Sequence, residues 1–318
     1  MATQNSTITV KGKLGNIVGY KGRNGKRLAR IRQTEVKNPK TDGQVIQRMI
    51  LATSSKAYGR MKSIVDHSWQ GVPYGAISQS YFLKKAMERI RKFVADSMAA
   101  FPSSITDPLQ WVGLARPDSL AETGYGLQIS EGTIPSVTAN YNTEGEGEDE
   151  EKFLESFGAS LGEAPQGGYS IQQVLNALGA KVGDQITILG ILANGEFVKS
   201  RYITKANATA ADMAAAWTPN GSAAAFDEET EVSPNLMIEP GTNTKHVGWD
   251  DSTGSEAKAV AIVISRKVGN TWQRSTQYLL PVRNVSVVDT IIKLWQLGTT
   301  EIPTANPYYL NNADLTGE

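Results

Sequence analysis

The stretch GYKGRNGKRLARIRQ, residues 19 to 33, is the densest basic run in the chain. If Asn24-Gly25 forms a two-residue hairpin loop, Arg23 faces Lys26, Lys21 faces Leu28, Gly19 faces Arg30 and Ile17 faces Arg32. Lys21, Arg23, Lys26, Arg30 and Arg32 then share one face of a narrow ribbon. Tyr20 opposes Ala29 and Val18 opposes Ile31 on the other face, which is apolar and expected to pack on helices. Like charges directly opposite one another destabilise a strand pair, so five cations on one face make sense with an anion against them. Backbone phosphates fit that description: cation density sets affinity, and base contacts set sequence preference.

Two further features of the same half bear on that chemistry. A helix face with Lys84, Lys85, Arg91 and Lys92 extends the set of candidate nucleic-acid contacts. Tyr20, Tyr58, Trp69, Tyr74 and Tyr81 are aromatic groups on which bases can stack. The competing reading is structural. Strand lysines and arginines block edge-to-edge pairing, and a charged helix face is ordinarily solvated. Most of the aromatics read as core: Tyr81 and Phe82 open a helix, and Trp69 packs under a linker.

Other chemistries find little footing. A phosphate-binding loop needs G-x-x-x-x-G-K-[ST], but Gly19 stands one residue too far from Gly25, Tyr20 occupies the required position and Arg27 replaces the hydroxyl residue. Cysteine is absent, which excludes disulfides, thiolate nucleophiles and Cys-ligated metals. The two histidines, His67 and His246, are far apart and belong to no metal-ligand motif. His67 reads as a capping or packing residue. The carboxylates of 144 to 151 and FDEETE look exposed, whereas acid–base catalysis needs them fixed in a pocket. DDSTGSE lacks the spacing of a calcium loop. The expectation is a protein that is no enzyme, with no catalytic residue, no metal and no cofactor.

The elements that must position the cations follow from pattern. STITVKG and NIVGYKG alternate as strands, and NPKTDGQVIQRM announces a helix with Thr41 and Gln44 in a capping box. Apolar spacing predicts helices over about 43–65 and 78–99. Beyond Pro102 short strand-like runs alternate with turns, IQQVLNAL reads as a helix closed by Gly179, and hairpins are expected over 184–204 and 258–282. The region 206–256 reads as long loops with one short helix. TEGEGEDEE, 143 to 151, is too acidic to bury and reads as a mobile loop. The expected fold class is α+β: an N-terminal basic β-hairpin with two helices (1–101), followed by an acidic, antiparallel β-sandwich-like domain (102–318).

Charge divides along that line. Residues 1 to 100 hold 19 Lys plus Arg against 5 Asp plus Glu, and the remainder holds 13 against 27, so a formal net charge of zero hides two opposite halves. That asymmetry points to nucleic acid as partner for the basic half, or to the acidic face of a neighbouring subunit in a homo-oligomer. No apolar run reaches the length of a membrane span or of a signal peptide, so no membrane partner is expected.

KGKLGNIVGYKGRNGKRLARIR followed by NPKTDGQVIQR resembles an uncharacterised family of gut-type bacteria and their phages, with a pattern near G-K-[LV]-G-N-x-V-G, a basic hairpin and N-P-[KR]-T-x-x-Q. AIVISRKVGNTWQRSTQYL resembles a strand pair of gut-phage proteins. The likeness covers about the first 80 residues and weakly 257 to 280. It implies a phage or prophage setting, in the cytoplasm of a bacterial host or in a virion, and carries no established activity. Two functions are therefore expected: a phage-type nucleic-acid-binding protein that self-associates through its acidic domain, or a virion structural component whose basic and acidic halves interlock between subunits.

Overall fold

In the computed structural model the described residues are 2–3, 12–21, 26–32, 42–100, 120–121, 124–144, 151–192, 196–218, 224–233, 236–238 and 257–284. The chain forms two compact units, Met1–Gln44 and Val45–Glu318. Its class is α+β, with an N-terminal sheet, helices and antiparallel sheets.

The first unit is a sheet of β1 (Ala2–Thr3), β2 (Gly12–Leu14), β3 (Ile17–Lys21) and β4 (Arg27–Ile31), in spatial order β1-β4-β3-β2. Its tight turn is not the one expected. Leu14 pairs with Ile17, so the two-residue loop is Gly15-Asn16, with Gly15 at a φ of 56° that a primed hairpin turn requires. Between β3 and β4 the last pair is Lys21 with Arg27, which leaves five residues in the connection. Gly22 to Gly25 lie outside the described residues.

The second unit begins with α1 (Asp42–Val65) and α2 (Ala76–Ala100), within two residues of the spans that apolar spacing predicts. Thr41, the expected cap, lies outside the described residues. Short strands β5 (Gln128–Ser130), β6 (Ala139–Glu144) and β7 (Glu151–Phe157) follow. β6 and β7 form a hairpin in which Glu144 sits opposite Glu151. The expected acidic loop thus keeps strand residues at both ends, and 145–150 lie outside the described residues. Helix α3 (Ile171–Leu178) shows its local code fully. Ser170 and Gln173 form a capping box, Gly179 closes the helix in the left-handed conformation, and Ile171, Val174, Leu175 and Leu178 are buried along one side.

The organising element is a sheet of β8 (Gln185–Leu192), β9 (Phe197–Ile203) and, after the short helix α4 (Ala210–Ala214), β10 (Ala257–Val268) and β11 (Thr271–Arg274). Its spatial order is β11-β10-β8-β9. Both faces of its middle are covered. Leu189, Ile191, Ala259, Ala261 and Val263 share a core with Phe82, Ala86, Ile90 and Phe93 of α2 and Ile50, Tyr58 and Met61 of α1. The alternate residues Ile186, Ile188, Val260, Ile262 and Ile264 share a second core with α3, Leu154 of β7, and the Tyr202–Trp217–Phe226 aromatic cluster. Burying each large apolar side chain contributes about 1.5–3 kcal/mol, so the helices are held to the sheet as one body. The compact units divide near residue 44.

Beyond β11 the chain stitches the layers together. β12 (Gln277–Tyr278) pairs β5, β13 (Leu280–Pro281) pairs β10 and β14 (Arg283–Asn284) pairs β7. Close backbone approach makes this possible: a Cβ on Gly132 would lie 2.1 Å from the Arg274 carbonyl oxygen.

Candidate nucleic-acid interface

The observed register reorganises the basic ribbon. Ile17 opposes Ile31, Val18 opposes Arg30, Gly19 opposes Ala29, Tyr20 opposes Leu28 and Lys21 opposes Arg27. This is one residue away from the expected pairing, and a one-residue slip turns a whole strand over. Lys21 therefore shares a face with Arg27, Ile17 and Ile31. Arg30 falls on the opposite face with Val18, Tyr20 and Leu28, and its guanidinium lies 5.9 Å from the centre of the Tyr20 ring. The Arg32 amide donates to the Asn16 carbonyl at 2.6 Å, in the same register. The physical reason is cross-strand pairing. The observed register sets Ile against Ile and Tyr against Leu, where the expected one set Ile17 and Gly19 against arginines. The single five-cation face is thereby corrected to cations on both faces. Lys21, Lys26, Arg30 and Arg32 are exposed, and Arg23 lies outside the described residues.

Of the expected apolar set, Val18, Tyr20 and Ala29 are half-buried, while Ile31 turns to the exposed face with Ile17. Ile17 is 46 % and Ile31 79 % exposed.

On α2 the cations separate into two stripes. Lys85, Arg89 and Lys92, spaced i, i+4 and i+7, all turn toward the body of the second unit. The Lys85 Nζ lies 3.0 Å from the Glu131 carboxylate, which also accepts from the Tyr81 hydroxyl at 3.0 Å and the Gln128 amide at 3.3 Å. Arg89 stacks 4.5 Å from the Tyr278 ring centre and Lys92 lies 5.9 Å from that of Tyr125. Burial disfavours the Glu131 charge, but the hydrogen bonds from Lys85 and Tyr81 outweigh it and hold its carboxyl below the ordinary range. The Glu131 hydrogen bond in turn raises Lys85. Lys85 thus seats the helix, and Arg89, which the sequence pattern did not single out, belongs with it. Lys84 and Arg91 form the outer stripe, interrupted by Glu88. Arg91 is exposed and donates to the Gln47 side chain of α1 at 3.1 and 2.9 Å.

A third set was not singled out from sequence. Arg48, Lys56, Arg60 and Lys62 are exposed on α1, and the helix holds no carboxylate after Asp42. Their spacing is too irregular to register as a stripe, so the signal is the absence of acids over 23 residues of helix, 43–65.

The segment after α1 joins the helices to the β11 hairpin. The Tyr58 hydroxyl donates to the Asp66 carboxylate in a very short hydrogen bond. Burial and that carboxylate push the Tyr58 phenol up to about 12. The Gln70 side-chain oxygen accepts from the Thr133 amide at 2.9 Å and the Arg274 amide at 3.2 Å. Arg274 donates its Nε to the His67 carbonyl at 2.7 Å and stacks 4.7 Å from the Trp272 ring centre. Its Nη1 is buried with no hydrogen-bond partner among the described residues, and burial lowers the guanidinium to about 10. Of the aromatics considered from sequence, Tyr58 and Trp69 are core, Tyr20 and Tyr81 are half-buried, and Tyr74 is 74 % exposed.

Across the sheet, Arg266 and Asp184 form a two-pronged ion pair at 2.8 and 2.7 Å, with Asp184 only 1 % exposed. Its function is structural, since the Asp184 carboxylate also accepts from the Lys181 amide. Among the described residues no group of three or more His, Asp or Glu could hold a metal ion. His246 and the 250–256 loop lie outside them. Among the described residues no helix is long and apolar enough to cross a membrane. No protein-family model, curated protein or solved structure matches the chain.

Proposed function

We propose that this is a non-enzymatic nucleic-acid-binding protein of phage type, which contacts phosphates through exposed cations of its basic N-terminal half. The observation that carries the reading is the charge of α1, where Arg48, Lys56, Arg60 and Lys62 are exposed and residues 43–65 supply no carboxylate of their own. A helix that needed only solubility would mix signs along its exposed face. One that binds phosphate releases condensed counterions, and its affinity rises with each phosphate its cations neutralise. Lys21, Arg30 and Arg32 of the N-terminal sheet and Lys84 of α2 add exposed positive charge. The acidic remainder of the chain serves self-association in this reading.

The test is fluorescence anisotropy with short labelled single- and double-stranded DNA over a salt series. Binding is expected to weaken steeply between about 50 and 200 mM salt. Charge reversal at Arg48, Lys56 and Lys62 together should reduce the salt slope by about one for each phosphate no longer neutralised. No binding at low salt, or an unchanged slope in the triple variant, would overturn the reading.

The exposed Ile17–Ile31 pair favours a second one, a virion assembly protein whose N-terminal sheet docks on a neighbouring copy. In that case light scattering detects concentration-dependent assembly without nucleic acid, and deletion of residues 1–40 abolishes it.

A further inference from the structure

The tip of the β10–β11 hairpin presents an aromatic surface in a part of the chain that otherwise carries the acidic surplus. The hairpin turns at Gly269-Asn270, where Val268 pairs with Thr271. Trp272 stands 42 % exposed beside that turn. The Arg274 guanidinium lies 4.7 Å from the Trp272 ring centre and is anchored by its Nε on the His67 carbonyl. His67 is exposed and its ring lies 5.6 Å from that of Tyr74, which is 74 % exposed. One arginine thus connects two exposed ring systems that lie more than 190 residues apart in the chain.

Along the two segments that carry these rings, the exposed charges are positive. Residues 62–75 contain a single carboxylate, Asp66, which is buried against Tyr58, and residues 265–274 contain none. Lys62 and Lys267 are exposed, and Lys267 is the register partner of Trp272. A sugar-binding platform of exposed rings needs carboxylates or amides around it to accept hydroxyl protons. The two segments here carry the amides Gln70, Asn270 and Gln273 but no exposed carboxylate, and they add Lys62 and Lys267, which suits a strand that carries both flat apolar groups and negative charge.

We infer that Trp272 and Tyr74 form a stacking platform for the bases of single-stranded nucleic acid, with Lys62 and Lys267 placed for its phosphates. The inference rests on the nucleic-acid reading and sharpens it to single strands. Bases inside a duplex are stacked on one another and cannot reach an exposed ring, whereas unpaired bases can. Arg274 acts as a positioning residue: stacked beneath the indole and tied to His67, it holds the ring in place before a base arrives.

The experiment compares wild type, Trp272→Ala, Tyr74→Ala, Trp272→Phe and the α1 charge-reversal variant, using labelled oligo-dT and a duplex of equal length. The alanine variants should each weaken oligo-dT binding by about 5- to 150-fold, with duplex affinity and the salt slope unchanged. Trp272→Phe should restore most of the loss, and circular dichroism should show every variant folded. Unchanged oligo-dT affinity in both alanine variants overturns the platform, even where the charge-reversal variant weakens both probes and the phosphate reading stands. Equal losses on oligo-dT and duplex overturn it too, as does a change of oligomeric state in Trp272→Ala without loss of oligo-dT binding. Wild type that binds neither probe removes the platform together with the reading beneath it.

Discussion

The central sheet and the N-terminal sheet are both antiparallel and both carry hydrophobic strands, yet they use those residues in opposite ways. In β8 and the first nine residues of β10 nearly every position is buried, because helices cover one face and α3 with β7 the other. In β3 and β4 the isoleucines face water. Cations follow the same division. Lys85, Arg89 and Arg266 of the second unit each have a carboxylate or ring close against them. Lys21, Arg30 and Arg32 of the first are exposed, Arg30 with the Tyr20 ring centre 5.9 Å away. Density of positive charge along a sequence therefore does not distinguish cations packed into a fold from cations left at its surface. Their burial does.

Substitution can break this contrast. Phe82→Ala, at a position 0 % exposed, should cost about 3–5 kcal/mol of unfolding free energy in urea. Ile31→Ala should cost less than about 0.5 kcal/mol. Similar losses would mean that the N-terminal sheet is packed in solution against something. Arg266→Met comes next. It leaves the buried Asp184 carboxylate without its main partner and should cost about 3 kcal/mol, whereas Arg30→Met in the N-terminal sheet should be nearly neutral in the same assay.

The Glu131 cluster sharpens the comparison through pH. Its folded carboxyl titrates below the ordinary value, so the unfolded chain binds the proton first as pH falls. The stabilisation is complete above the ordinary carboxylate range and is lost as pH drops through the lowered folded value. Glu131→Gln should therefore differ most from wild type at neutral pH and converge with it in acid, in urea melts across a pH series. Parallel curves would show that Lys85 is held by something else. The smallest effect is a gain. Gly59 is exposed inside α1 and a Cβ there meets nothing within 4 Å. Gly59→Ala should stabilise by about 0.5–1 kcal/mol, read as a rise in Tm.

Much of the local structure was legible in the residues themselves. The spans of α1 and α2 followed from apolar spacing. α3 followed from its repeat and Gly179, and the hairpins over 184–204 and 258–282 followed from their turns. Each depends on groups within a turn or two of one another. The candidate site was legible only as charge. Its register escaped because Asn24-Gly25 and Gly15-Asn16 are both credible turns, and the choice rests on pairing along both strands.

By itself, then, the sequence determined which segments become helices and strands, and that the N-terminal third is basic, because propensity, capping and charge act over short range. Only the tertiary structure decided what the cations do. Lys85 meets Glu131 across 46 residues and Arg274 meets His67 across 207. Such pairs arise from how segments distant in sequence pack together, and no local pattern records where a distant carboxylate or carbonyl will come to rest.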